Sequence, residues 1–143
     1  MKKIKFISLI ILLAFCTVLT ACSTFNGYDD DKAIVKANSF SKIKSVETNT
    51  PAKYSLRCDK CNGVEKIKNI TVPENPVFDI SLTVSSGRFK VVLVKGDDVF
   101  IICERDTDEP VVTDLAAGTY SLRIVAEDAK VNFTFNFNSY TKS

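Results

Sequence analysis

Histidine and tryptophan are both absent from the 143 residues, and methionine occurs once. Without histidine there is no Ser-His-Asp or Cys-His nucleophile pair, no H-E-x-x-H zinc site and no imidazole proton shuttle. Without tryptophan the strongest aromatic platform for cations is missing. A charge excess is also missing, because 19 Lys and Arg face 17 Asp and Glu. That balance offers no basic surface for nucleic acid, so no nucleic-acid partner is expected. No Gly-rich phosphate loop and no G-x-S-x-G string occurs either. These absences remove the commonest catalytic machinery, and the chain is read as a non-enzyme. What remains is a chain of one-domain length whose hydrophobic share, 45%, suits a packed core.

The apolar residues are concentrated first at the start. Lys2, Lys3 and Lys5 precede an uncharged run over residues 6–21 that holds Ile7, Leu9, Ile10, Ile11, Leu12, Leu13, Phe15, Val18 and Leu19. A basic stretch, an apolar stretch and then small residues is the pattern of a secretory signal. The run is 16 residues long, shorter than the ~20 of a spanning helix. An uncleaved anchor is the alternative reading. Leu19-Thr20-Ala21-Cys22 closes the run and resembles the bacterial lipobox. That resemblance implies cleavage before Cys22, a diacylglycerol thioether on its sulfur, further acylation such as palmitate, and attachment to the extracytoplasmic face of a bacterial membrane. The alternative is an ordinary secretory signal that leaves Cys22 free. Removing Lys2, Lys3 and Lys5 from the 19 basic residues leaves 16 against 17 acidic ones, so the mature chain is slightly acidic.

Three segments are expected: a signal peptide over 1–21, with a signal helix; a lipidated cysteine and flexible tether over 22–39; and a domain over 40–143. Asp29-Asp30-Asp31 reads as part of a solvated spacer. Ala33-Ile34-Val35 reads as a short edge strand. From residue 40 onward the period is two. Tyr54, Leu56 and Cys58 alternate with Ser55 and Arg57; Ile80, Leu82 and Val84 with Ser81 and Thr83; Tyr120, Leu122 and Ile124 with Ser121 and Arg123; Val131, Phe133, Phe135 and Phe137 with Asn132, Thr134 and Asn136. Residues 89–94 and 99–103 are apolar on both faces, as in adjacent central strands. Turn signals stand at Ser86-Gly87, Lys95-Gly96-Asp97-Asp98, Pro73-Glu74-Asn75-Pro76 and Glu127-Asp128-Ala129-Lys130. No long helical segment follows the leader. The expectation is an all-β fold: a single antiparallel β-sandwich, Greek-key or jelly-roll-like, of about seven to nine strands.

Cys58-Asp59-Lys60-Cys61 is the sharpest local motif. A redox pair places its first cysteine at a helix N-terminus, whereas here a strand pattern precedes the motif and Asn62-Gly63 follows it. A zinc site needs more ligands than one C-x-x-C provides, and Cys103 is the one further thiol. Small-loop disulfide, redox pair, metal ligands with Cys103, and plain thiols at a turn all stay open for Cys58 and Cys61, while Cys103, on an apolar strand, reads as a buried small hydrophobe. Glu104, Arg105, Asp106, Asp108 and Glu109 form an acidic loop that is read as solvated, with calcium binding as its alternative.

Leu115-Ala116-Ala117-Gly118-Thr119-Tyr120 resembles the tyrosine corner of Greek-key sandwiches, in which the phenol bonds back to the backbone. Gly63-Val64, Ser86-Gly87-Arg88-Phe89-Lys90-Val91, the stretch from Leu115 to Val125, and Ala129 together resemble small Firmicutes-type lipoproteins of unknown role. That resemblance implies a compact β-sandwich at the cell surface and carries no catalytic residue; Cys58, Cys61 and Cys103 lie outside it. The expected function is therefore a lipid-anchored, monomeric, non-catalytic binding or structural module of the cell envelope. It needs no cofactor and meets membrane lipid through Cys22 and an envelope glycan or protein through its surface. A thiol-redox or metal-binding envelope protein is the alternative.

Overall fold

The computed structural model describes residues 25–142. The signal, its cleavage region Leu19, Thr20 and Ala21, and Cys22 lie outside the described residues. A short helix α1 (Asp31–Lys36) is followed by strands β1 (Ser39–Asn49), β2 (Lys53–Val72), β3 (Pro76–Lys95), β4 (Asp98–Cys103), β5 (Val111–Val112) and β6 (Gly118–Lys142). The fold is all-β. One open antiparallel sheet runs β1-β2-β6-β3-β4, with β5 also paired to β3. The last strand is thus inserted between β2 and β3.

The three inner strands are 20, 20 and 25 residues long, several times the usual strand of about 5–6. They are not straight. β2 shifts register against β6 between Cys58 and Cys61 and again before Gly63. β3 shifts against β6 between Val84 and Ser86 and again before Arg88. At the same level Lys44 of β1, Gly87 of β3 and Asp128 of β6 take positive φ, at 50°, 69° and 48°. These bulges form one line across four strands. Bulges bend strands and increase their twist, and here the bend doubles the sheet over. Phe89 pairs with Ala126 on β6, and a straight strand would hold Phe133 ~23 Å further along. Yet the Phe89 and Phe133 rings lie 5.5 Å apart.

Two expected reversals are therefore bends. Ser86-Gly87 and Glu127-Asp128-Ala129-Lys130 interrupt β3 and β6 without turning them back, because both flanks of each stay paired to their neighbouring strands. Two pairs of expected strands merge, and the sheet has six strands instead of seven to nine. The inner faces of the two halves share one core. Tyr54, Leu56, Ile80, Leu82, Phe133 and Phe135 come from the first half, and Phe89, Val91, Leu93, Leu122 and Ile124 from the second. Other expectations hold locally. Gly96-Asp97 closes the β3–β4 hairpin between paired Lys95 and Asp98, with Gly96 at φ 63°. The tyrosine corner forms, with the Tyr120 hydroxyl donating to the Ala116 carbonyl at 2.8 Å.

The expected tether is different. Tyr28 and Ile34 are buried, at 1% and 0% exposure. They pack on Val64, Val92, Val94 and Val125 of the outer face of the second half. This cover is why residues 89–94 are apolar on both faces. β4, expected to be central, is instead an edge strand paired only with β3, and its Ile101 is 53% exposed. Ala33-Ile34-Val35 is helical because Asp30 caps α1, its carboxylate accepting from Lys32 N and Ala33 N at 2.9 and 3.3 Å. Arg123 closes the other end, donating through Nη1 to the Ile34 and Ala37 carbonyls at 3.0 and 2.8 Å. A helix of six residues is too short to persist without such support. Residues 25–38 thus belong with the folded unit that was expected to begin at residue 40.

Gly63 has φ 117°, and a Cβ there would lie 2.0 Å from the Ser39 carbonyl oxygen. Gly96 also has positive φ but meets nothing within 4 Å. Gly63→Ala is expected to destabilise the domain by about 3 kcal/mol or more, against ~1–2 kcal/mol for Gly96→Ala. Urea midpoints of the two variants check this, and equal midpoints would contradict it.

Candidate functional site

Bulging turns Cys58 and Cys61 to the inside of the doubled sheet. Their exposures are 1% and 0%. All three described cysteines are free thiols. Cys58 Sγ donates to the Ile43 carbonyl at 3.5 Å and Cys61 Sγ to the Ala129 carbonyl at 3.3 Å. Cys103 donates to the Arg105 carbonyl at 3.2 Å. Burial, and then the neighbouring Cys58, push the Cys61 thiol far above its ordinary range. Burial likewise raises Cys103. A thiolate is the reactive form, so Cys61 is held as an unreactive thiol. The pair sits in a strand bulge, with no helix N-terminus to favour a thiolate. Cys103 is not brought to it. Among the described residues, no three His, Cys, Asp or Glu side chains come together as metal ligands.

The acidic loop works structurally. Glu104 accepts from the Tyr28 hydroxyl at 3.2 Å. Asp106 Oδ1 accepts from the Val84 amide at 2.8 Å. Thr107 exchanges backbone bonds with Leu82 at 2.7 and 2.9 Å. The acidic run before α1 is used in the same way. Asp29 holds both Arg88 guanidinium nitrogens, at 2.7 and 2.6 Å, and this bond keeps the Asp29 carboxyl below its usual range. Arg88 also stacks 3.9 Å from the Tyr28 ring centroid, and the buried Lys90 lies 4.5 Å from the same ring. Burial, and then Glu104, raise the Tyr28 phenol. These contacts clamp the N-terminal strap onto the sheet.

Sequence reasoning missed a second charged cluster, because the bend assembles it. Lys42 lies cross-strand from Cys61 on β1, and Glu47 lies beyond the bend on the same strand. The Lys42 ammonium bonds Glu47 and, at 3.0 Å, Glu65. The buried Tyr54 hydroxyl beside these carboxylates has no hydrogen-bond partner of good geometry, and burial followed by the Glu65 and Glu47 charges raise its pKa. Burial pulls the Lys42 ammonium toward deprotonation, but bonds to Glu47 and Glu65 more than offset this and leave its pKa raised.

Among the described residues, no such cluster and no strap covers the outer face of the first half. Its rows run Ser55–Thr134–Ser81 and Arg57–Asn132–Thr83 across β2, β6 and β3. A shallow groove of about 370 Å³ is lined there by Arg57, Asp59, Thr83, Ser85, Lys130 and Asn132. Lys130 reaches Asp59 at 3.7 Å, while no ion pair or hydrogen bond ties the Arg57 side chain to another described residue. This is an array of hydroxyls, amides and one free guanidinium, with the exposed Val46 beside Arg57 at its β1 edge, suited to hydrogen bonding with an extended ligand. The alternation around Phe133 pointed to a wet face; its neutral Asn and Thr composition was visible, but its uncovered position was not.

A group whose folded pKa is raised adds stability below its unfolded pKa and loses it as pH rises through the folded value. Lys42→Met should therefore lower the melting temperature at neutral pH by leaving Glu47 and Glu65 uncompensated. The gap to the unsubstituted protein should shrink above about pH 10.4, the ordinary lysine value. Thermal melts across that range test it, and a gap constant throughout would refute the role given to Lys42.

In comparisons with known proteins, the chain matches no family model, no curated protein and no solved structure.

Proposed function

We propose that this chain is a lipid-anchored extracytoplasmic lipoprotein, and that its β domain is a non-catalytic binding or structural module of a bacterial cell envelope. The observation that carries the reading is Leu19-Thr20-Ala21-Cys22 placed directly after an uncharged run over residues 6–21. The thiol of Cys22 receives diacylglycerol, and two acyl chains give a stable anchor where one gives only a reversible one. Features of the domain support the non-catalytic part. Cys61 is a buried, protonated thiol, and Glu104 and Asp106 of the acidic loop bond the fold itself. The open face around Arg57, Thr83 and Asn132 is where an envelope glycan or protein would bind.

Cys22→Ala is expected to abolish incorporation of labelled fatty acid in a bacterial host and to leave precursor of unprocessed length. Labelled acyl chains on the variant, or a processed unlabelled wild type, would sink the lipoprotein reading.

A further inference from the structure

The strap shortens the reach between lipid and fold, and this fixes which face meets the membrane. We infer that the outer face of the second half, covered by residues 25–37, lies against the bilayer headgroups, and that the face carrying Arg57, Thr83 and Asn132 points away. The inference rests on acylation of Cys22.

The first ordered contacts come early. Phe25 packs against the cluster of Tyr28, Ile34, Val64 and Val125. With its amide oriented to satisfy both partners, Asn62 accepts from Phe25 N at 2.9 Å and donates to the Ala126 carbonyl at 3.2 Å. Three residue steps separate Cys22 from Phe25, and they span at most about 11 Å. A lipidated sulfur at the headgroup level therefore holds Phe25, where the strap begins, within about that distance of the surface. A tether running to residue 39 would have allowed any orientation; three steps do not.

The sheet geometry supplies the rest. Because the sheet is doubled, its two outer faces lie on opposite sides of the shared core, with two backbone layers roughly 10 Å apart between them. The strap covers one outer face, so the other is turned from the anchor. The covered side is polar, with Asp31, Lys32 and Lys36 of α1 exposed. Of the exposed large hydrophobics, Ile101 of β4 pairs with Val92 and so shares the strap's face, while Ile43, Val46 and Val112 lie on β1 and β5. The strap face thus meets the headgroups through its polar residues, with Ile101 as its exposed apolar side chain, and the acyl chains supply the attachment.

The absence of tryptophan makes the test clean. Two variants carry one reporter each at exposed positions, Lys36→Trp on α1 and Asn132→Trp on the opposite face; Lys32→Trp and Thr83→Trp form a second pair. Each acylated full-length protein is placed in phosphatidylcholine–phosphatidylglycerol vesicles containing a dansyl headgroup acceptor, with acylation of Cys22 confirmed by mass. Energy transfer from the α1 reporters should exceed that from the Asn132 and Thr83 reporters severalfold. Inserting twenty Gly/Ser residues between Thr24 and Phe25 should erase the difference. Equal or reversed transfer in acylated protein overturns the orientation, and a difference that survives the insertion overturns tether length as its cause. A mass without diacylglycerol overturns the anchor itself, and the orientation falls with it.

Discussion

The line of bulges across β1, β2, β6 and β3 is the constraint on which the rest depends. It exists because backbones approach one another too closely there for ordinary side chains. A Cβ on Gly87 would lie 2.2 Å from the Asp128 carbonyl oxygen, and one on Gly63 would lie 2.0 Å from that of Ser39. With glycine at both places the strands bend together, and 20- to 25-residue strands bury one face of each half against the other. Phe89 then meets Phe133, and Lys42 reaches Glu47 from across the bend. The bend also turns Cys58 and Cys61 inward. Cys61 is thereby placed where burial disfavours its thiolate.

Bending leaves the two halves with different outer faces. On the second half, Val64, Val92, Val94 and Val125 need cover, and the strap provides it with Tyr28 and Ile34. Fully burying side chains of this size contributes roughly 1.5–3 kcal/mol each, and the valines that they cover leave water with them. Charged contacts then fix its position: Asp29 on Arg88, Tyr28 on Glu104, and Arg123 under the last turn of α1. On the first half, Ser, Thr and Asn occupy the outward positions and hydrate without help. The asymmetry connects fold to proposed role, since the strap that seals one face is also the segment next to Cys22.

Much of the architecture was legible where a local rule decides it. Period two identified the strand segments around Tyr54, Leu82, Tyr120 and Phe133. Gly96-Asp97 marked a real hairpin, and Leu115 to Tyr120 a real corner. Ser86-Gly87 and Asp128 were read as reversals because such residues signal positive φ without saying whether the chain turns back. That outcome depends on whether both flanks find the same neighbour, and β6 is drawn from the far end of the chain. The strap was missed for a related reason. Its apolar residues are few, and Ile34 is buried only because a valine surface waits for it. The Lys42–Glu47–Glu65 cluster carries no local signal, being assembled by the bend. The lipobox at Cys22 stands on sequence pattern, outside the described residues.

The most direct test of this account is the proximity of two rings that a flat sheet would keep far apart. Nuclear Overhauser spectra of the domain, with Phe89 and Phe133 selectively labelled, should show a cross-peak between their ring protons, as the 5.5 Å centroid separation requires. Loss of that peak in a folded sample that retains the Phe89–Ala126 backbone pairing would contradict the doubled sheet, and with it the division into a covered face and an open one.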